Sequence, residues 1–155
     1  MTGVQTCALP ICVAAELDPQ RVETYAVTAY WLRARLNRVD EAEQFLRDGL
    51  RANPNAPELL YALGQLLYEN RKDNVRAKNL WRVALRRWHE LEEPKPKPDK
   101  LLLAQILGGL TQIETQENHF NEAIGYLKPL KEVSPHPEEI QKQIDALAAK
   151  AAAAR

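Results

Sequence analysis

No cysteine occurs beyond position 12. The only two, Cys7 and Cys12, sit in the first dozen residues. The body of the chain therefore has no disulfide framework and no cysteine-based metal site. No apolar run approaches the roughly 20 residues that cross a bilayer. Charge of one sign is not in excess either: Lys plus Arg number 21 and so do Asp plus Glu, for a net of zero. That balance argues against a nucleic-acid binder working through bulk electrostatics and gives no cause for attraction to an acidic membrane surface. No Gly-x-Ser-x-Gly occurs, and Gly108-Gly109 is not followed by Lys-Ser/Thr as a phosphate loop requires. No two of His89, His119 and His136 have i,i+4 spacing, so no metal site is expected. Catalysis is not expected, and no cofactor is implied. What is present is an ordinary globular composition, 45% apolar and 27% charged over 155 residues, enough for one domain or a short stack of repeats.

The opening is unlike the rest of the chain. Met1-Thr-Gly-Val-Gln-Thr-Cys-Ala-Leu-Pro-Ile11 resembles, residue for residue, the translation of a sequencing-adapter oligonucleotide. It has neither the basic region nor the apolar stretch of a secretory signal. Residues 1–12 are accordingly expected to be unstructured and foreign to the fold. The natural reading frame is then expected to continue upstream of Val13, with residues 13–19 the tail of an earlier repeat.

Internal repetition dominates the remainder. Ala42, Ala77 and Ala123 each open an Ala-x3-large-apolar pattern, reaching Leu46, Trp81 and Leu127, and each comes after a polar turn. Pro19, Pro54 and Pro135 stand where second helices should stop. The pairs Pro19/Pro54, Ala42/Ala77 and Ala29/Gly64 are all 35 residues apart. Helices are predicted over about 21–36, 39–52, 56–70, 74–91, 99–116, 120–133 and 137–153. Asn37 and Asn118 fall at turns, where Asn tolerates the left-handed conformation.

The stretch Leu60-x2-Leu63-Gly64-x2-Leu67 and, after it, Ala77-x3-Trp81 resembles the tetratricopeptide pattern W-x2-L-G-x2-Y…A-x3-F…P, and the likeness extends over residues 14 to about 135. It implies an all-α fold, an α-solenoid of antiparallel helix–turn–helix pairs. Three pairs are expected over residues 20–135, with a C-terminal capping helix and frayed tail over 136–155. Small residues such as Gly64 and Ala29 are expected to let paired helices approach closely. The chain departs from the family in three ways. The first two inter-helix turns carry one extra residue. The second repeat lacks its closing Pro and runs on through Arg86-Arg87-Trp88-His89. Glu92-Glu-Pro-Lys-Pro-Lys-Pro98 is inserted, and Ala77 to Ala123 spans 46 residues. Alternating Pro and Lys predicts a stiff, extended linker over residues 92–98. Gly108 and Gly109 do not align with Gly64 in sequence. In the basic-aromatic cluster of Arg82, Arg86 and Arg87, Trp81 is expected in the core with the arginines around it.

In tetratricopeptide arrays the first helix of each pair lines a concave surface that receives partners. By position, its lining here would include Tyr30 and Arg33; Tyr61, Gln65, Tyr68 and Glu69; and Gln105 and Gln112. Tyr61 and Tyr68 are seven apart and share a helix face, and Tyr and Arg are favoured interface anchors. The same aromatics could instead serve packing. The family's Lys/Asn carboxylate clamp is not matched, since Ala26, Tyr30 and Gln65 hold those positions. The expected function is a protein–protein interaction scaffold for a peptide or protein partner. The alternatives are a docking segment of a larger enzyme or of an envelope or secretion assembly, and a helical-repeat nucleic-acid binder. An apolar face near Val13 to Leu32 is expected to be open to self-association.

Overall fold

The computed structural model describes residues 10–154. Among them are eight helices and no strand: α1 (Pro10–Leu17), α2 (Val22–Ala34), α3 (Val39–Ala52), α4 (Pro57–Glu69), α5 (Asn74–Leu91), α6 (Lys100–Gln116), α7 (Phe120–Val133) and α8 (Pro137–Ala153). Cys7 and most of the adapter-like segment lie outside the described residues. Pro10–Cys12, expected to be unstructured, belong to α1. No Gly or Pro interrupts the run from Ile11 to Leu17, and Ala15 is buried in the core beside α2.

Helices pair as α2/α3, α4/α5 and α6/α7, and each pair leans on the one before it; α8 packs on α7. This is the stacked-hairpin solenoid that the resemblance implies. The reason is periodic burial. Ala42, Ala77 and Ala123, one on each second helix, are fully buried. Leu59, Leu63, Leu66 and Leu67 of α4 lie inward, as do Ile106, Leu107, Leu110 and Ile113 of α6, giving each helix an apolar stripe of 3.6-residue period. A smaller cluster of Ala123, Leu127 and Leu147, flanked by Ile140 and Ile144, holds α8 in place.

Helix starts reflect local chemistry. The side chains of Asp73 and Asp99 accept from the amides of Arg76 and Leu102, each at 2.9 Å, and cap α5 and α6. Pro57 and Pro137 open α4 and α8, where their missing N–H costs nothing. The hairpin turns share one device: Asn37, Lys72 and Asn118 have φ of 53°, 56° and 61°. In the first two turns the next amide donates six residues back, Arg38 to the Leu32 carbonyl and Asp73 to that of Leu67. In the third, His119 donates only five residues back, to Glu114. The extra residue expected in the first two turns is therefore real, and its absence from the third shifts the register of α6. Buried Leu59, Leu60, Leu63 and Leu66 correspond to buried Ile106, Leu107, Leu110 and Ile113, an offset of 47 (106 minus 59). On this register Gly64 corresponds to Thr111, and neither Gly108 nor Gly109 is its counterpart.

The segment over residues 92–98 is not extended. It forms a turn and a series of bends tied back to α5. The amide of Lys95 donates to the Glu92 carbonyl at 3.0 Å, the Lys95 ammonium meets the Glu92 carboxylate, and the Asp99 amide reaches the same carboxylate at 3.4 Å. Trp88 closes the loop, its indole N–H donating to the Asp99 carbonyl at 2.7 Å. Glu92 is only 7% exposed, and a buried carboxylate needs these donors. They overrule the preference of Pro-Lys alternation for an extended chain.

Lys72 carries a Cβ in a conformation that costs roughly 1–2 kcal/mol for most L-residues, while Asn visits it readily. Lys72→Asn should therefore raise unfolding stability by about 0.5 kcal/mol, read as a higher urea midpoint at unchanged m-value. A lower midpoint would mean that the lysine is held by something other than the turn.

Candidate functional site

The first helices α2, α4 and α6 share a face that runs across the stack. At its α2 end Tyr30 is half exposed, with the Arg33 guanidinium 6.0 Å from its ring centre. Arg33 itself is largely buried. It donates to Glu69 of α4 at 2.6 Å and to Asn70 at 3.4 Å. Gln65 donates to the other oxygen of Glu69 at 2.9 Å. One carboxylate thus orders Arg33 and Gln65 and links two neighbouring helices. Further along, the hydroxyl of Tyr68 accepts from Gln116 of α6 at 2.7 Å.

Beneath this face lies Trp81, which is 2% exposed. Tyr61 stacks on it at 6.0 Å between ring centres and 23° between planes, and Tyr68 lies tilted at 5.6 Å. The indole N–H donates to the Tyr61 carbonyl at 3.1 Å. The ring spans the gap between α4 and α6. A Cβ on Gly64 would lie 2.7 Å from the indole Cδ1, and one on Gly109 would lie 2.7 Å from Cζ3 at the opposite end. Gly64 thus faces its paired helix α5, as expected of a small residue at that crossing, and what it admits there is the Trp81 indole; Gly109 admits the same ring from α6. Where Leu46 stands in place of Trp81, α2 and α4 approach more closely than α4 and α6 do. Trp88 is buried as well, and two of the nearby arginines are paired: Arg82 with Glu114 at 2.9 Å and Arg87 with Glu90 at 2.6 Å.

The residues that the repeat pattern assigns to the groove thus fall into three sets. Arg33, Gln65 and Glu69 form one polar group, with Tyr30 beside it. Tyr61 and Tyr68 meet over Trp81 and serve packing while keeping part of their surface in solvent. Burial, and after it the negative charge of Glu69, pushes the Tyr61 hydroxyl above its ordinary value, with Arg33 opposing. Gln112 lines a cleft between α6, α7 and α8, whereas Gln105 stands exposed on α6 outside it. Sequence reasoning missed Gln116, which carries the link to Tyr68, and Thr111 and Thr115, which line that cleft with Gln112. The 47-residue offset reveals all three as counterparts of Glu69, Gly64 and Tyr68. A second cleft of about 300 Å³ opens on the second-helix side, rimmed by Arg47 and Arg76. Arg47 already pairs with Glu43, and Arg76 with Asp73.

Among the described residues the most deeply buried charged group is a second carboxylate besides Glu92. Glu114 of α6, the counterpart of Leu67, is 1% exposed. It accepts from Lys78 at 3.3 Å and Arg82 at 2.9 Å and contacts His119 at 2.9 Å. Glu117 joins through Lys78 and His119. Glu114, Glu117 and His119 bring ligand-type atoms within 4.8 Å of one another, yet two cations already sit on the carboxylates, which makes this an ion-pair network between α5 and α6. Burial alone would raise the Glu114 carboxyl; His119, Lys78 and Arg82 outweigh it and hold it below its ordinary value of 4.5.

No family model matches the chain, and no curated protein matches it. Among solved structures, the crystal structure of yeast Tom70 is similar over 94% of this chain and 36% of that one, with a TM-score of 0.47 and 22% sequence identity. The chain thus spans 36% of the length of that structure.

Alanine at the two adjacent glycines should act in opposite directions. Gly109→Ala should destabilise: its methyl group would meet the indole, at a cost of about 1–3 kcal/mol against a helix-propensity gain of about 1. Gly108, one residue away, has nothing within 4 Å of its would-be Cβ, so Gly108→Ala should stabilise by about 0.5–1 kcal/mol. Chemical denaturation of the two variants should give opposite signs, and equal signs would contradict the indole wedge. Glu114→Gln should cost roughly 3 kcal/mol at neutral pH. Because the folded-state value is depressed, this stability is present above the ordinary value of 4.5 and is lost as pH falls through the lowered one. The gap between native protein and variant should close on acidification; a gap independent of pH would show that the charge is not what stabilises.

Proposed function

We propose that this chain is a non-catalytic scaffold that presents its first-helix face to a segment of a partner protein. The observation that supports this most is the strip of Tyr30, Arg33, Gln65, Tyr68 and Glu69, partly exposed yet ordered before any partner arrives by the Arg33–Glu69, Gln65–Glu69 and Gln116–Tyr68 hydrogen bonds. Binding costs affinity wherever side chains must be frozen, and here the ordering is done by the fold. Aromatic rings that keep a polar tip in solvent provide area, and the amide and charged groups between them provide hydrogen bonds and orientation. Paired helices stacked in series hold such a strip at fixed spacing. The mechanism is display of a rigid surface, with specificity set by the spacing of rings and amides along it.

Peptides selected against the full chain from a displayed random library test this reading. Tyr30→Ala and Gln65→Ala should each weaken the selected peptides by about tenfold or more, equivalent to about 1.4 kcal/mol, with melting temperature nearly unchanged. Asn79→Ala, on the second-helix side, should leave affinity as it was. If Asn79→Ala weakens binding while the first-helix variants do not, the partner surface lies on the opposite side of the stack. Affinity that falls steeply with added salt would favour a nucleic-acid-type ligand instead.

A further inference from the structure

The third repeat lacks the aromatic plug of the second. With the offset of 47, Tyr61 corresponds to Gly108 and Tyr68 to Thr115, and the Ala-x3 position held by Trp81 is Leu127. Three aromatic side chains that close the second repeat are thus replaced by a hydrogen, a small hydroxyl and an aliphatic group. α8 does not draw in to fill the difference, because it packs on α7 and not on α6. The result is a cleft of about 320 Å³ between α6, α7 and α8, floored by Leu127 and Leu130, with room for roughly ten waters at liquid density. The space beside Gly108 is empty to 4 Å.

The walls are uncharged. Gln112, Gln116 and Gln143 stand around the floor with Thr111 and Thr115, and the position held by Glu69 in the second repeat is Gln116 here. Amide side chains both donate and accept, and so match the alternating N–H and C=O groups of a peptide backbone. Gln116 uses its NH₂ on Tyr68 and keeps its carbonyl oxygen as an acceptor. Two leucines thus form a small apolar patch ringed by five hydrogen-bonding side chains in an open cleft.

We propose that this cleft is an aromatic-anchor subsite: it receives one Trp, Tyr or Phe side chain of an uncharged, extended partner segment, in the volume that the second repeat fills with its own rings. This rests on the first-helix face being the partner surface and names what that surface selects. The chain itself supplies a partial precedent: Trp81, between two tyrosines and two glycines, shows that an inter-helix gap of this stack holds an aromatic ring, while in the third repeat Thr111 stands for Gly64 and the open space lies beside Gly108 instead. The neutral rim discriminates against charged neighbours of the anchor, which would exchange water for amides without an ion partner.

The test is amide NMR of the full chain titrated with acetyl-Gly-Gly-Trp-Gly-Gly-amide and with its Ala counterpart. The Trp peptide should shift Gly108, Thr111 and Thr115, and the Ala peptide should act at least tenfold more weakly. Gly108→Leu, which fills the open space, should weaken the Trp peptide tenfold or more while the melting temperature holds or rises; Thr115→Tyr should do the same independently. Equal response to Trp and Ala peptides would overturn the aromatic subsite, as would shifts that persist in both variants. Shifts confined to the surroundings of Gln65 and Tyr68 would overturn it too, while leaving the first-helix face as the partner surface. An absence of shifts anywhere would overturn it as well, and the face would then be judged by the peptides selected against it.

Discussion

A single indole ring sets the geometry of the middle of this protein. Trp81 reaches from α5 into the gap between α4 and α6, bounded by Gly64 at one end and Gly109 at the other. It is a spacer as much as a core residue. An indole takes more room than a leucine, and α4 and α6 make fewer close backbone approaches than α2 and α4 do. Everything above it inherits that spacing: Tyr61 and Tyr68 are laid over the ring, and Tyr68 is brought within hydrogen-bonding reach of Gln116. Protein interiors are packed densely enough that such a dimension is transmitted instead of absorbed.

The polar links act on top of this frame. Arg33–Glu69 ties the first helix of one repeat to that of the next, and Arg71 ties the second hairpin turn back to Asp40 and Glu43 of α3. Surface pairs of this kind contribute little stability each, but they set the orientation of side chains that would otherwise be free to turn. Glu114 is the exception, because it is buried in a position where the preceding repeat has Leu67. Such a carboxylate is tolerable only with Lys78, Arg82 and His119 around it. The network joins α5 to α6 where the stack is otherwise held apart by Trp81.

Much of the fold was legible in the sequence. Seven predicted helices agree with α2 to α8 to within two residues at every end, because spacing of apolar residues at 3.6, prolines at helix ends and Asn at the turns are local signals. The Pro-Lys segment was not legible, because a buried Glu92 and the Trp88 indole decide its shape from outside it. The candidate site was legible in part. Tyr30, Arg33, Gln65 and Glu69 come together as their positions on α2 and α4 imply, since the 35-residue period carries from one helix to the next. Gln105 does not join them, and Gln116, Thr111 and Thr115 were missed, because the third repeat slips by one residue at its turn. That slip shows in where the His119 amide finds its carbonyl and in which α6 residues are buried.

Sequence alone determined the number of helices in the repeats, their ends, the pairing of neighbours through short turns, and the small residues at second-helix crossings, since each depends on residues a few positions apart. Tertiary structure decided the rest. It placed an indole against Gly64 at the α4–α5 crossing, gave adjacent Gly108 and Gly109 opposite roles, and left open in the third repeat a space that the second repeat fills with its own aromatic rings. Those outcomes depend on distances between helices, and such distances are set by which side chains meet across a gap, a property of pairs far apart in the chain.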